Sequence, residues 1–163
     1  MSGGRSGERG QVAVYAGLLF PLLMLVLSLV LAVGSLEDLR TRIGAELDTA
    51  ALTATQALDM AGLSAGQPPR LVAAQADALA REYVARNLAA SSDLVAESPT
   101  AIAASAQVVV TNVPGTDPLT GIAVTAPTVS IRVQVPARVP LLSLAGIGSV
   151  VTLTVTGSAA ART

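Results

Sequence analysis

"GERGQVAVYAGLLFPLLMLVLSLVLAVGSL" runs from Gly7 to Leu36, and its reading decides the fold. Gly10 to Leu36 is 27 residues without a charge, bracketed by Arg9 and Glu37. At about 1.5 Å per residue a helix of that length covers roughly 40 Å, more than the ~30 Å hydrocarbon core of a bilayer. To bury such a helix in a globule, the rest of the 163-residue chain would have to supply apolar surface on every side, and it cannot. Two readings remain. Arg5, Arg9 and the small residues Ala32-Val33-Gly34 outline a secretory signal cleaved after Gly34, which would release a soluble exported binding protein. The apolar run from Val12 to Val33 is 22 residues, however, whereas the core of an export signal is about 7–15. The segment is therefore expected to be retained as a transmembrane helix over 11–36, behind a short tail at 1–10.

Within the span, Pro21 removes one backbone hydrogen bond, which predicts a kink near Gly17 to Pro21. Gly17, Ser28 and Gly34 are small spots where another helix could approach, or simply tolerated residues. Basic residues flank both ends, Arg5 and Arg9 before the span and Arg40 and Arg42 after it. The charge rule alone gives only a slight preference for a cytoplasmic amino terminus. The short tail adds to that preference, because it is easily left behind while the long carboxyl part crosses.

The remaining composition excludes more than it suggests. Hydrophobic residues make up 52% and charged residues 13%, half of the roughly 25% usual for a soluble domain, which fits a membrane segment. A net charge of −1 gives no electrostatic basis for binding nucleic acid. There is no Cys and no His, hence no disulfide, no thiolate nucleophile and neither of the commonest metal ligands. Tyr15, Phe20 and Tyr83 are the only aromatic residues, too few for base-stacking platforms or an aromatic-lined pocket.

Past the span the helical pattern continues. Leu36, Leu39, Ile43, Leu47, Ala50, Ala54, Leu58 and Ala61 recur at steps of three or four, so the helix is expected to extend outside through about 61. Gly62 and Pro68-Pro69 then end it. A second helix is predicted over 69–90, with Val72, Ala76, Leu79, Tyr83 and Asn87 on one face and Ala80, Val84 and Leu88 beside it. The two would form an αα-hairpin joined at Ser64 to Pro68. Asp38 and Arg42, Asp77 and Arg81, and Glu82 and Arg86 are acid-first pairs four apart, the favourable order for a helical ion pair.

After Ser91 the period changes. Gln107 to Val113 is rich in β-branched residues and ends at the turn signal "PGTDP". In "TVSIRVQVP", Val129, Ile131, Val133 and Val135 alternate with polar residues. In "VVTLTVTGS", Val151, Leu153 and Val155 do the same, so both read as half-buried strands. Between them "ARVPLLSLAGIG" is apolar without alternation, a packed turn or a patch near the membrane or a partner. With Ile122 to Ala126 as a further candidate, three or four strands are expected within 107–158. The fold class is α+β: a long amino-terminal helix, transmembrane and continuing outside, with a second helix packed on a small antiparallel sheet. Residues 37–163 form the head.

Candidate chemistry is sparse. Glu37-Asp38 and Glu46 with Asp48 are close carboxylates, but neighbours one or two apart on a helix do not face each other. A solvated helix face explains them better than a metal or acid–base site. Ser28 and Ser143 have no His to activate them, and "GTDPLTG" lacks a phosphate-loop lysine. No catalytic residue, metal site or cofactor is expected, and the chain reads as a non-enzyme.

The order and spacing of three features resemble a known family. "RGQVAVYAGLLFPLLMLVLSLVLAVG" followed by "RTRIGAELDTAALTATQAL" is similar to the TadE/TadG-like proteins of tight-adherence (Flp) pilus assembly. Members begin with a glycine before a long apolar helix with a proline about ten residues in, then carry an Asp-Ala-Ala-Ala-Leu-Ala type motif. Gly10, Pro21 and Asp48-Thr49-Ala50-Ala51-Leu52 stand in those places. The likeness covers Arg9 to Leu58, and the ending "VPLLSLAGIGSVVTLTVTGSAAAR" is similar more loosely. The resemblance implies a bacterial cytoplasmic-membrane protein with an extracytoplasmic head, a minor pilin-like (pseudopilin) or assembly component whose partners are the bilayer and other pilus or assembly subunits. Some relatives are cut by a prepilin peptidase, which would correspond to cleavage between Gly10 and Gln11 and incorporation into a filament. Those members carry Glu five residues after the cut, where this chain has Tyr15, so the resemblance favours the uncut, TadG-like form.

Overall fold

A computed structural model describes residues 6–143 and 148–161. Helix α1 (Ser6–Ala54) is 49 residues without a break and contains Pro21. By its rise it is roughly 73 Å long. It already includes Ser6, so the part of the expected tail from Ser6 to Gly10 is helical. No proline separates Ser6 from the span, and each added helical residue gains a backbone bond.

The outer half of α1 is the spine of the head. Leu39, Ile43, Leu47, Ala50 and Ala54 are all buried, on the face that the spacing predicts, and Ala51 is buried beside them. The helix stops at Ala54, short of the expected 61, for local reasons. The Thr55 hydroxyl donates to the Leu52 carbonyl (2.7 Å). The Thr55 amide is shared between Ala51 and Leu52 (3.1 and 3.2 Å), which tightens the last turn. Asp59 then caps a short helix α2 (Met60–Ser64), accepting from the Gly62 amide (2.9 Å). Gly66 follows at φ 78°, a left-handed turn that glycine adopts without steric cost.

Helix α3 (Ala73–Leu88) starts four residues later than Pro69. Residues 69–72 are held extended instead. Leu58 and Leu71 form an antiparallel bridge, and the Leu71 amide and carbonyl both bond the Asn112 side chain (2.7 and 3.0 Å). The buried stripe of α3 is Ala76, Ala80, Val84 and Leu88; Tyr83 and Asn87 are half-buried and Val72 is exposed. The inward face is thus rotated from the expected one toward the residues beside it. The helices still run as an antiparallel pair, tied by Val72 N to Ala57 O (2.8 Å) at one end and Asn87 Nδ2 to Glu46 O (3.1 Å) further along. The small Ala50, Ala54, Ala76 and Ala80 let their backbones approach closely.

A short 3₁₀ turn (Ala89–Ser91) follows, then helix α4 (Pro99–Ser105), which the periodicity does not reveal. Its start has a local signature all the same: Ser98 accepts from the Ala101 amide (3.3 Å) and Pro99 occupies the first helical position. The strands are β1 (Gln107–Thr111), β2 (Gly115–Thr116), β3 (Ala123–Val124), β4 (Thr128–Arg138) and β5 (Val150–Ala160), with a single-turn helix α5 (Pro140–Ser143) after β4. The main sheet is antiparallel in the order β1-β4-β5, and β2-β3 is a separate two-stranded ribbon. Val129, Ile131, Val133, Val135 and Ala137 of β4 are buried beneath α1 and α3, as the period of two requires. The observed fold is α+β, a long helix and its partner laid on one face of a small antiparallel sheet. The strands reach Ala160, slightly past the expected 158.

Candidate functional site

The two halves of α1 differ in what surrounds them. From Leu18 to Val33 nearly every large apolar side chain is exposed, Leu18 at 70% and Phe20 at 62%, while Ile43 and Leu47 are at most 1% exposed. The chain thus has one helix, among the described residues, long and apolar enough to cross a membrane. Between Gly17 and Leu36 only Ser28 and Ser35 carry polar side chains. Each hydroxyl donates back within the helix, Ser28 to Met24 O and Ser35 to Ala32 O (both 2.8 Å), so neither depends on water. Gly17 and Gly34 have nothing within 4 Å of where a side chain would begin.

The junction between the bare and covered halves is built by the β4–β5 connection. Ala32 is fully buried against Val139 and Leu142, with Leu36 and Val151 packed beside them. The turn that reads as apolar without alternation therefore docks, through Val139 and Leu142, on the helix at the end of its bare segment. Leu144 to Ile147 lie outside the described residues. From there β5 climbs along α1: Val155 lies near Gly44, 3.8 Å from where a Cβ would stand, and Gly157 reaches Leu47. At Gly157 a Cβ would sit 2.6 Å from Leu47 Cβ and 2.8 Å from the Asp48 amide nitrogen, so the strand touches the helix backbone. Any larger residue would force the two apart. The signal available in the sequence was a lone glycine inside an alternating strand pattern.

The motif residues have distinct places. Asp48 Oδ1 accepts from the Ser158 amide (2.9 Å), which occupies a donor of β5, an edge strand of the sheet. Ala50 and Ala51 are fully buried, and Leu52 points outward at 53% exposure. Pro21 lies in the bare segment, and Gly10 and Gln11 lie inside α1, so the backbone at the possible processing position is helical. The structure gathers Asp48, Ala50 and Ala51 at the helix–sheet contact and leaves Pro21, Gly10 and Gln11 far along the same helix.

The expected ion pairs divide. Arg81 and Asp77 meet at 3.0 Å, and Arg81 also donates to the Ala103 and Ala104 carbonyls (3.0 and 2.8 Å). Arg42 turns forward to Glu46 (3.4 Å) rather than back to Asp38. Arg86 lies over the Tyr83 ring, 5.9 Å from its centre, instead of pairing with Glu82. The carboxylates at 37, 38, 46 and 48 do not converge, and no group of three or more metal-ligating side chains lies among the described residues.

One buried polar cluster escapes sequence reading. Asp117, in the "PGTDP" turn, is fully buried. It accepts from the Ser130 hydroxyl (2.5 Å) and from the Leu119 and Thr120 amides (2.8 and 2.7 Å). Burial pushes this carboxyl up, but the bonds from Ser130, Thr120 and Leu119 outweigh it and hold it below its ordinary value. Arg132 donates to the Leu119 carbonyl, and Gly121 closes the loop at φ 72°. These bonds fasten the β2–β3 ribbon to β4.

The chain matches no family model, no curated protein and no solved structure.

Proposed function

We infer that the protein is a single-pass membrane component of a tight-adherence (Flp) type pilus assembly system, acting as an anchored scaffold through protein contacts. The observation that carries this reading is the single helix whose first half is apolar and bare and whose second half is the core of the head. A head built on the end of its own anchor cannot swing freely, so it holds a fixed height and direction above the bilayer. That suits the lining-up of subunits better than it suits catalysis. The resemblance of Gly10, Pro21 and Asp48 to Leu52 to the TadE/TadG-like pattern supports the choice of system. The bacterial cytoplasmic membrane, a cytoplasmic amino terminus and partners among pilus or assembly subunits come with that choice.

Retention of the helix has a second support. Cleavage after Gly34 would remove Ala32, whose burial against Val139 and Leu142 closes the foot of the head. The test is alkaline carbonate extraction of native membranes, followed by intact mass. The expected result is a protein that stays in the pellet and begins at Met1. A protein that washes free with residues 11–36 still attached overturns the membrane reading. A mature start at Gln11 instead indicates a processed, filament-forming subunit, and a soluble form starting at Ser35 indicates an exported protein.

A further inference from the structure

A cleft of about 260 Å³ opens between α1 and the end of β4, lined on the helix by Leu36, Asp38, Leu39 and Arg42 and opposite by Arg138 and Val139. We propose that this cleft seats the headgroup of a bilayer phospholipid, with the phosphate between Arg42 and Arg138. The proposal rests on the membrane reading above and adds to it a specific ligand.

Depth is the first argument. The apolar run of α1 ends at Leu36, and the first charge is Glu37. Ser35 to Arg42 climbs roughly 10 Å further along the helix axis. The headgroup layer on each side of the hydrocarbon is about 5–8 Å thick, so the inner part of the cleft lies at that level, and the Arg42 side chain, which leans back toward the amino-terminal end of its helix, reaches down toward it. Polarity is the second argument. Leu36 and Val139 lie toward the bare segment and the two guanidinium groups further out, the order in which a phospholipid presents its chains and its phosphate. β4 runs toward the bare segment, since Val139 packs on Ala32, which puts Arg138 on the outer side of Val139.

The third argument is donors left for a ligand. The guanidinium of Arg138 has no hydrogen bond or ion pair among the described residues, although its backbone is fixed by the bond from its amide to Leu94 O (2.8 Å). Arg42 engages Glu46 through Nε alone at 3.4 Å, which leaves its terminal amino groups open. Two arginines lining one cleft offer the forked donors that suit phosphate. Asp38 adds an acceptor in the same cleft, matched to a donor next to the phosphate: the ammonium of an ethanolamine head or the hydroxyls of a glycerol head. The volume is below the roughly 300–1,000 Å³ of sites that enclose drug-sized ligands, and fits a headgroup whose tails stay in the bilayer.

The experiment is native mass spectrometry of the full chain, released from nanodiscs of phosphatidylethanolamine or phosphatidylglycerol. The wild type is expected to keep one phospholipid, and Arg42→Gln/Arg138→Gln to reduce that occupancy by at least about tenfold. Arg40→Gln, whose side chain lies on the β5 side of α1, should leave it unchanged. The lipid retained more strongly identifies the donor that faces Asp38. Equal retention by the wild type and the double variant overturns the proposal, as does an equal loss in Arg40→Gln. Displacement by millimolar inorganic phosphate without lipid preference also overturns it, because it would show a plain anion site. Both guanidinium groups are solvent-exposed, so the double variant should fold, and unchanged carbonate resistance confirms that it is anchored. A wild type that resists carbonate but holds no lipid sinks this proposal alone. A wild type released by carbonate sinks the membrane reading.

Discussion

Residues 18–31 and 39–54 of α1 belong to one helix with similar aliphatic side chains, yet one stretch is bare and the other is the centre of the core. The outer stretch keeps all its large residues except Leu52 on one stripe and fills most of the rest with Glu, Arg, Thr and Ala, so a second helix and a sheet can cover it. The inner stretch has Leu, Val, Met and Phe on all sides, and a head of this size could cover only one of them. A helix apolar all round is stable in lipid and a one-sided helix is stable against protein. The change from one pattern to the other occurs within a few residues of Leu36, where Val139 and Leu142 make the first contact of the head.

That comparison can be broken by cutting side chains on each side of it. Leu47→Ala should cost the head about 2–5 kcal/mol, read as a drop in its denaturation midpoint, because it opens a cavity under β5. Leu23→Ala should leave the midpoint of the head unchanged. An equal loss from both would mean that the inner half is covered by protein after all. Leu25→Arg reverses the test. It should cost roughly 2.5–3.5 kcal/mol in membrane insertion, seen as a larger carbonate-soluble fraction, while the head keeps its midpoint.

Gly157→Ala probes the covered half more finely. A methyl group there meets the helix backbone, so the strand must move, at a cost of about 1–3 kcal/mol. Gly17→Ala, with open space around it, should be silent in the head. The smallest effect concerns Asp117. Its folded pKa lies below the unfolded value of 3.8, so its contribution is fully present well above pH 3.8 and is lost as pH falls through the folded value. The denaturation midpoint of the wild type should therefore fall more steeply below about pH 5 than that of Asp117→Asn, and parallel curves would remove the cluster from the account of stability.

Where residues speak through near neighbours, the sequence was legible. The uncharged run to Leu36, the stripe from Leu39 to Ala54 and the alternation of Val129 to Val135 all map directly onto the structure. Where long-range contacts compete, it was not. Pro69 to Val72 reads as a helix start but is held extended by Asn112, forty-odd positions away. Leu58 and Ala61 continue a helical spacing that Thr55 and Asp59 interrupt. The inward face of α3 turned because Ala80 and Val84, smaller than Tyr83, allow a closer approach to α1.

The amino-acid order alone determined that one segment is too long and too apolar for a small globule to enclose, because hydropathy and helix rise act along the chain. It also determined which strands alternate, because that period is a property of the extended backbone. Only the tertiary structure decided that Gly157 touches Leu47, that Asp48 occupies an edge amide of β5, and that Arg42 and Arg138 share one cleft. Those juxtapositions join residues separated by about a hundred positions. No local propensity encodes them; they follow from how the sheet is laid along the helix.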